Sequence, residues 1–142
     1  MGVSRIFWDS NLFIYLLEDN GKVSERVADV RQRMLDRGYE LLTSTLTLGE
    51  VLVKPSETGN ALLKSRYEEA ITKAATVLPF SREAARLYAE IRRDRSIRPP
   101  DAIQLACAAH ARVDLFITND DRLATKAVAG IHFIQSLDRA FL

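Results

Sequence analysis

Short apolar runs alternating with helix-patterned segments constrain this chain more than any other feature. Val3 to Trp8, Tyr39 to Thr43, Thr76 to Phe80 and Asp114 to Thr118 read as strands, and Ile131 to Ile134 would supply a fifth. Between them lie segments of helical period. Leu12, Phe13, Leu16 and Leu17 mark a helix from Asn11 to Leu17, and Val23, Val27, Val30, Met34 and Leu35 mark another from Val23 to Arg37, stopped by Gly38. Thr45 to Val53 is predicted as a helix ended by Lys54 and Pro55, with a turn-rich break over Ser56 to Asn60. Further helices are predicted from Ala61 to Ala75, from the N-cap Ser81 to Arg93, from Ala102 to Ala111 and from Asp121 to Val128, with a basic loop over Arg92 to Pro100.

Alternation of this kind predicts a parallel α/β sheet of four to five strands with helices on both faces. In such sheets the working site lies outside the carboxyl ends of the strands. The length of 142 residues, with 47% hydrophobic and 27% charged, fits one globular unit spanning residues 1 to 142 and excludes a disordered or collagen-like chain. Net charge is only +1, so nucleic-acid binding through bulk electrostatics is excluded and a local patch would be needed. Cys107 is the single cysteine, so neither an internal disulfide nor a zinc cluster can form; among alanines it reads as a core residue. That usage, with no membrane-length apolar stretch and no visible export signal, sets a cytoplasmic expectation.

Four acids stand in apolar borders. Asp9 ends Ile6-Phe7-Trp8, Glu50 lies within Leu48-Gly49-Glu50-Val51-Leu52, Asp101 precedes Ala102-Ile103, and Asp120 follows Phe116-Ile117-Thr118-Asn119. Carboxylates are rarely buried unless paired, hydrogen-bonded or metal-bound. Each has a structural alternative: Asp9 and Asp120 could cap helices, Asp101 with Gln104 has capping-box spacing, and Glu50 could face solvent. Capping does not account for an acid inside a helix, and a divalent cation would relieve the repulsion of all four together. Oxygen-only ligands suit Mg²⁺ or Mn²⁺, whose chemistry fits a phosphodiester substrate. Arg92, Arg93, Arg95 and Arg98 precede Asp101 and are candidate contacts for an RNA backbone.

In the order and spacing of Asp9-Ser10-Asn11, Ser44 through Glu50, Asp101-Ala102-Ile103-Gln104-Leu105-Ala106 and Thr118-Asn119-Asp120, the chain resembles the PIN-domain ribonucleases, and among them the VapC-type toxins of toxin-antitoxin pairs. The resemblance implies a PIN-like three-layer sandwich. It implies that Asp9, Glu50, Asp101 and Asp120 are the catalytic, metal-binding acids, and that Asn11 and Thr118 orient ligands or substrate. Asp121 would be an accessory group. It further implies a Mg²⁺- or Mn²⁺-dependent endoribonuclease leaving 5′-phosphate and 3′-hydroxyl ends, a homodimer, with RNA as substrate and a small antitoxin protein as partner.

Two other classes set the contrast. A non-catalytic PIN-like domain would bind RNA or protein through the same fold, whereas a phospho-receiver domain expects an acidic pair after the first strand and a lysine ending a late one. Here a single acid follows the first strand and Lys126 falls in a predicted helix. His110 and His132 lie far apart in the pattern, which argues against a paired-histidine mechanism.

Overall fold

The computed structural model describes residues 4–140, so Val3, at the start of the first expected strand, lies outside them. Strands β1 (Arg5–Trp8), β2 (Glu40–Ser44), β3 (Thr76–Leu78), β4 (Leu115–Thr118) and β5 (Phe133–Ser136) form a sheet in the order β3-β2-β1-β4-β5, each neighbouring pair parallel. Helices α1 (Ser10–Leu17), α2 (Lys22–Arg37), α3 (Thr45–Val51), α4 (Val53–Glu57), α5 (Ala61–Ala74), α6 (Arg82–Ile91) and α7 (Pro99–His110) make the connections. This is the expected α/β architecture.

The strand period of two divides the interior into two cores. Ile6 and Trp8 of β1, Leu41 of β2, and Leu115 and Ile117 of β4 point to one side, against Leu12, Val27, Met34 and Ile71 from the helices. Phe7, Leu42 and Phe116 point to the other, against Ala84 of α6 and Ala102, Leu105 and Ala106 of α7. Phe7 stands opposite both Leu42 and Phe116 in the parallel registers. Its ring stacks on Phe116 at 5.1 Å between centroids. Trp8 is wholly buried, packs on Phe13 at 5.2 Å, and its indole Nε1 has no hydrogen-bond partner.

Helix α7 is buried almost all round, from Ala102 through Ala109 except at the half-buried Ile103. Its small side chains let it lie close to neighbouring backbone. Gly130, at φ 97°, rests on its last turn, where an added Cβ would stand 2.7 Å from the Ala109 carbonyl oxygen. Cys107 is in this core as expected, with burial pushing its thiol up to about 11.

Several boundaries differ from expectation, and the prolines account for two. Pro55 does not end a helix: α3 stops at Val51 and α4 begins at Val53, placing Pro55 in a first turn whose N–H groups have no intrahelical acceptor. The break then shrinks to the residues after Glu57. Pro99 and Pro100 likewise open α7, which starts before the expected Ala102. The helix expected over Asp121 to Val128 reduces to a 3₁₀ turn at Leu123–Thr125, because Lys126 is already extended. The last strand runs Phe133–Ser136 instead of Ile131 to Ile134, so His132 precedes it. At the carboxyl edge Asp9 follows β1, Ser44 ends β2 and Thr118 ends β4.

Candidate active site

Chain order and sheet order put the reversal point between β1 and β4, where connections leave in opposite directions and a crevice opens. Asp9 stands there. Its backbone N–H donates to the Ile117 carbonyl at 3.0 Å, and its extended backbone makes it the N-cap of α1. Oδ1 accepts from the Ser10 N–H at 2.8 Å and Oδ2 accepts from the Thr118 hydroxyl at 2.9 Å. The capping role and the site role therefore coincide in one carboxylate.

Burial, with Asp9 only 7% exposed, pushes this carboxyl up to about 6. The Thr118 and Ser10 hydrogen bonds pull it down, while the Asp101 and Glu50 carboxylates add to the rise. Three of the four acids thus share one electrostatic neighbourhood. Glu50, near the end of α3, accepts from the Ser10 hydroxyl at 2.6 Å. Asp101, in the first turn of α7, lies 3.4 Å from Arg98 Nε. Asp101 and Gln104 form no capping box: the N-cap is Arg98, and the Gln104 amide is hydrogen-bonded to Ser10, Ser44 and Thr47.

Asp120 completes the edge from the β4 side. Its N–H donates to the Thr118 hydroxyl at 3.1 Å, and Oδ1 accepts from the Arg122 and Leu123 N–H groups at 2.9 and 3.4 Å. Oδ2 lies 3.8 Å from Arg98 Nη2, so this one guanidinium spans Asp101 and Asp120.

Asp9, Glu50 and Asp101 line a cavity of about 260 Å³ together with Ser10, Asn11, Arg98, Pro100 and Gln104. Asp101 and Arg98 also line an adjoining cavity of about 270 Å³, which holds Asp120, Arg122 and Lys126. Asn11 faces the first cavity and Thr118 hydrogen-bonds Asp9, both beside the acids; Asp121 is exposed and lines neither cavity. Within the basic run only Arg98 lines these cavities. Arg92 turns back to donate to the Ile97 carbonyl at 2.8 Å, Arg93 pairs with Glu90 at 3.3 Å, and Arg95 is exposed. His110 and His132 are exposed outside both cavities. Lys126 is held by Asp94 at 3.1 Å and Ser96 at 2.6 Å, an arrangement foreign to a phospho-receiver site.

Sequence reasoning missed a buried polar layer under the acids: Ser10, Thr43, Ser44, Thr47 and Gln104. The available signal was polar residues ending an apolar strand and one amide within an alanine-rich helix.

The oxygen donors have the chemistry of a hard divalent cation: carboxylates walled by hydroxyls and the amides of Asn11 and Gln104, with Arg98 beside them and without thiolate or imidazole. The elevated titration of Asp9 is the penalty that a cation would relieve. Among the described residues, no three His, Cys, Asp or Glu side chains close around a point as a ready-made cage.

The family model described as the PIN domain matches residues 6–129. A chain of VapBC2 from Rickettsia felis, solved bound to a DNA fragment from its promoter, is similar with a TM-score of 0.74 at 12% identity, covering 93% of this chain and 98% of that one. A toxin-antitoxin complex from Klebsiella pneumoniae gives 0.68 at 20% identity, covering 89% and 94%. DNA-bound VapBC from Salmonella typhimurium gives 0.65 at 19% identity, covering 95% and 99%. No curated protein sequence matches the chain.

Proposed function

Because the chain belongs to the PIN domain family, we propose that it is a metal-dependent endoribonuclease and the toxin of a VapBC-like pair. The observation that carries this reading is the convergence of Asp9, Glu50 and Asp101 on one cavity, with Asp120 on the cavity beside it. Asp9, Glu50, Asp101 and Asp120 would hold Mg²⁺ or Mn²⁺. A cation so held supplies an activated water at neutral pH and neutralises charge on the phosphate, giving 5′-phosphate and 3′-hydroxyl ends.

The chain's own residues do the rest. Thr118 and the Ser10 N–H hold both oxygens of Asp9, so the deepest carboxylate has one orientation. Asn11, exposed beside it, can hydrogen-bond an incoming nucleotide. Arg98 already bridges two carboxylates and is placed to exchange one of them for an RNA phosphate.

An antitoxin partner is supported by the same negative pocket, which a basic side chain of a second protein would neutralise. Similar solved structures are toxin-antitoxin complexes, and Val53 and Leu62 are exposed apolar side chains on α4 and α5. A homodimer belongs to the same reading. No described helix is long and apolar enough to cross a membrane.

The test incubates purified protein with cellular RNA, with and without Mg²⁺ or Mn²⁺, and maps fragment ends. Cleavage that needs the metal and disappears in Asp101→Asn, with the fold intact by circular dichroism, is the expected result. Equal cleavage by Asp101→Asn rejects the assignment, and an inert wild type with intact metal binding favours a non-catalytic RNA- or protein-binding role.

A further inference from the structure

Gln104 is among the most deeply buried polar side chains described, 1% exposed, on a helix whose other buried residues are alanines, Leu105 and Cys107. A buried amide is costly unless all of it is hydrogen-bonded. Here its Oε1 accepts from the Ser44 hydroxyl, and its Nε2 donates to the Ser10 hydroxyl at 2.9 Å and the Thr47 hydroxyl at 2.8 Å. Those partners come from the start of α1, the end of β2 and the body of α3. One amide ties together three elements of the site.

We propose that Gln104 is a positioning residue whose amide commits the Ser10 hydroxyl proton to Glu50 and so fixes the Glu50 carboxylate in the cavity. The argument is one of hydrogen-bond direction. Nε2 supplies both of its protons, so Ser10 Oγ receives one and keeps its own free to give. Two neighbours remain: Thr47 Oγ1 at 3.1 Å, a hydroxyl that can donate as well as accept, and Glu50 Oε1 at 2.6 Å, a carboxylate that has no proton to offer and must accept. Were the amide reversed, its oxygen would take the Ser10 proton and leave a lone pair facing the carboxylate.

All three partners of the amide are hydroxyls, which can give or take a proton, so the amide's sense is set by the acceptor-only Glu50 carboxylate behind Ser10, and the Ser44 hydroxyl then donates to Oε1. Ser10 also gives its backbone N–H to Asp9 Oδ1 at 2.8 Å, so one serine holds two acids, and Gln104 holds the serine. Gln104 lies one turn beyond Asp101, and through it α7 is keyed to both other acids lining the cavity. The bland alternative is a core amide that matters only for stability.

This inference rests on the metal-site reading, and the experiment separates the two. Mn²⁺ affinity of the full chain is measured by calorimetry, alongside melting temperature, for wild type, Gln104→Met, Ser10→Ala, the double variant and Asp101→Asn. Gln104→Met is expected to weaken Mn²⁺ binding by ~10-fold, the effect typical of groups that orient ligands. In the Ser10→Ala background, where the relay is already cut, the same change should cost less than about twofold, because coupled residues are non-additive.

An equal loss in both backgrounds, or a lowered melting temperature with unchanged affinity, overturns the proposal. If Gln104→Met does not melt cooperatively, Gln104→Asn carries the same cycle, keeping the amide but withdrawing it by one methylene. Mn²⁺ binding lost in Asp101→Asn but intact in Gln104→Met leaves the metal site standing and the relay refuted. A wild type that binds no Mn²⁺ removes both.

Discussion

Asp9 and Asp120 follow adjacent parallel strands and share Thr118 as a hydrogen-bond partner, yet they sit in opposite regimes. Asp9 is at the floor: 7% exposed, both oxygens hydrogen-bonded, its carboxyl pushed up to about 6 by burial and by the Asp101 and Glu50 charges. Asp120 is at the rim: its side chain is 22% exposed, accepts from the Arg122 and Leu123 N–H groups that lead into a 3₁₀ turn, and has Arg98 and Arg122 at 3.8 and 3.7 Å. The same residue type is costly to ionise in one place and already compensated in the other. The floor supplies a fixed, under-compensated charge, which the proposed cation would relieve, and the rim supplies an adjustable one whose counter-charge is already present.

The sharpest break of this comparison is cleavage. Asp9→Asn should lower metal-dependent RNA cleavage by ~1000-fold or more, as expected for losing a ligand worth several kcal/mol in the transition state, and Asp120→Asn by about 10-fold. End-labelled RNA assays measure both. Equal losses would erase the distinction between floor and rim.

Stability without metal comes next. The Asp9 carboxyl titrates at about 6 folded against an ordinary 3.8, so between those values the folded chain binds more protons than the unfolded one. This contribution is fully present below the ordinary value and is lost as pH rises through about 6. In chelator, wild type should lose up to about 3 kcal/mol relative to Asp9→Asn between about pH 4 and about pH 7.5, read from urea midpoints. Asp120→Ala should instead cost about 1 kcal/mol, the usual net loss when a side chain that accepts from backbone N–H groups is removed. A wild type that tracks Asp9→Asn across that range would mean the floor is better solvated than its burial indicates.

The smallest expected effect is at Arg98. Its contacts with Asp101 and Asp120 are exposed and worth up to ~1 kcal/mol, so Arg98→Gln should tighten Mg²⁺ binding by at most about fivefold at low salt. The gain should fade as salt is added. Weaker binding would instead make the guanidinium part of the site's architecture.

Much of the sheet was legible because β1, β2 and β4 are short continuous apolar runs, Ile6-Phe7-Trp8, Leu41-Leu42 and Leu115-Phe116-Ile117, set between segments of helical period; which residue faces which core emerged only in the fold. Boundaries were harder where proline opens a helix instead of closing one, at Pro55 and Pro99. The acids stood out because charge within apolar borders is unusual. Which arginine reaches them was not legible: Arg92, Arg93, Arg95 and Arg98 are alike in type, and only the start of α7 at Pro99 puts Arg98 beside Asp101. Gln104 was equally hidden, since its partners Ser10 and Thr47 are 94 and 57 residues away and no local pattern encodes such pairings.

The buried indole one peptide bond before Asp9 has a practical consequence. Trp8 is the chain's single tryptophan, so all indole fluorescence originates at the base of the crevice. With Nε1 unpartnered and the ring shielded from water, emission should be blue-shifted and responsive to nearby charge. Binding of an added divalent cation at the proposed site should therefore be readable as a change in that emission on the unlabelled protein.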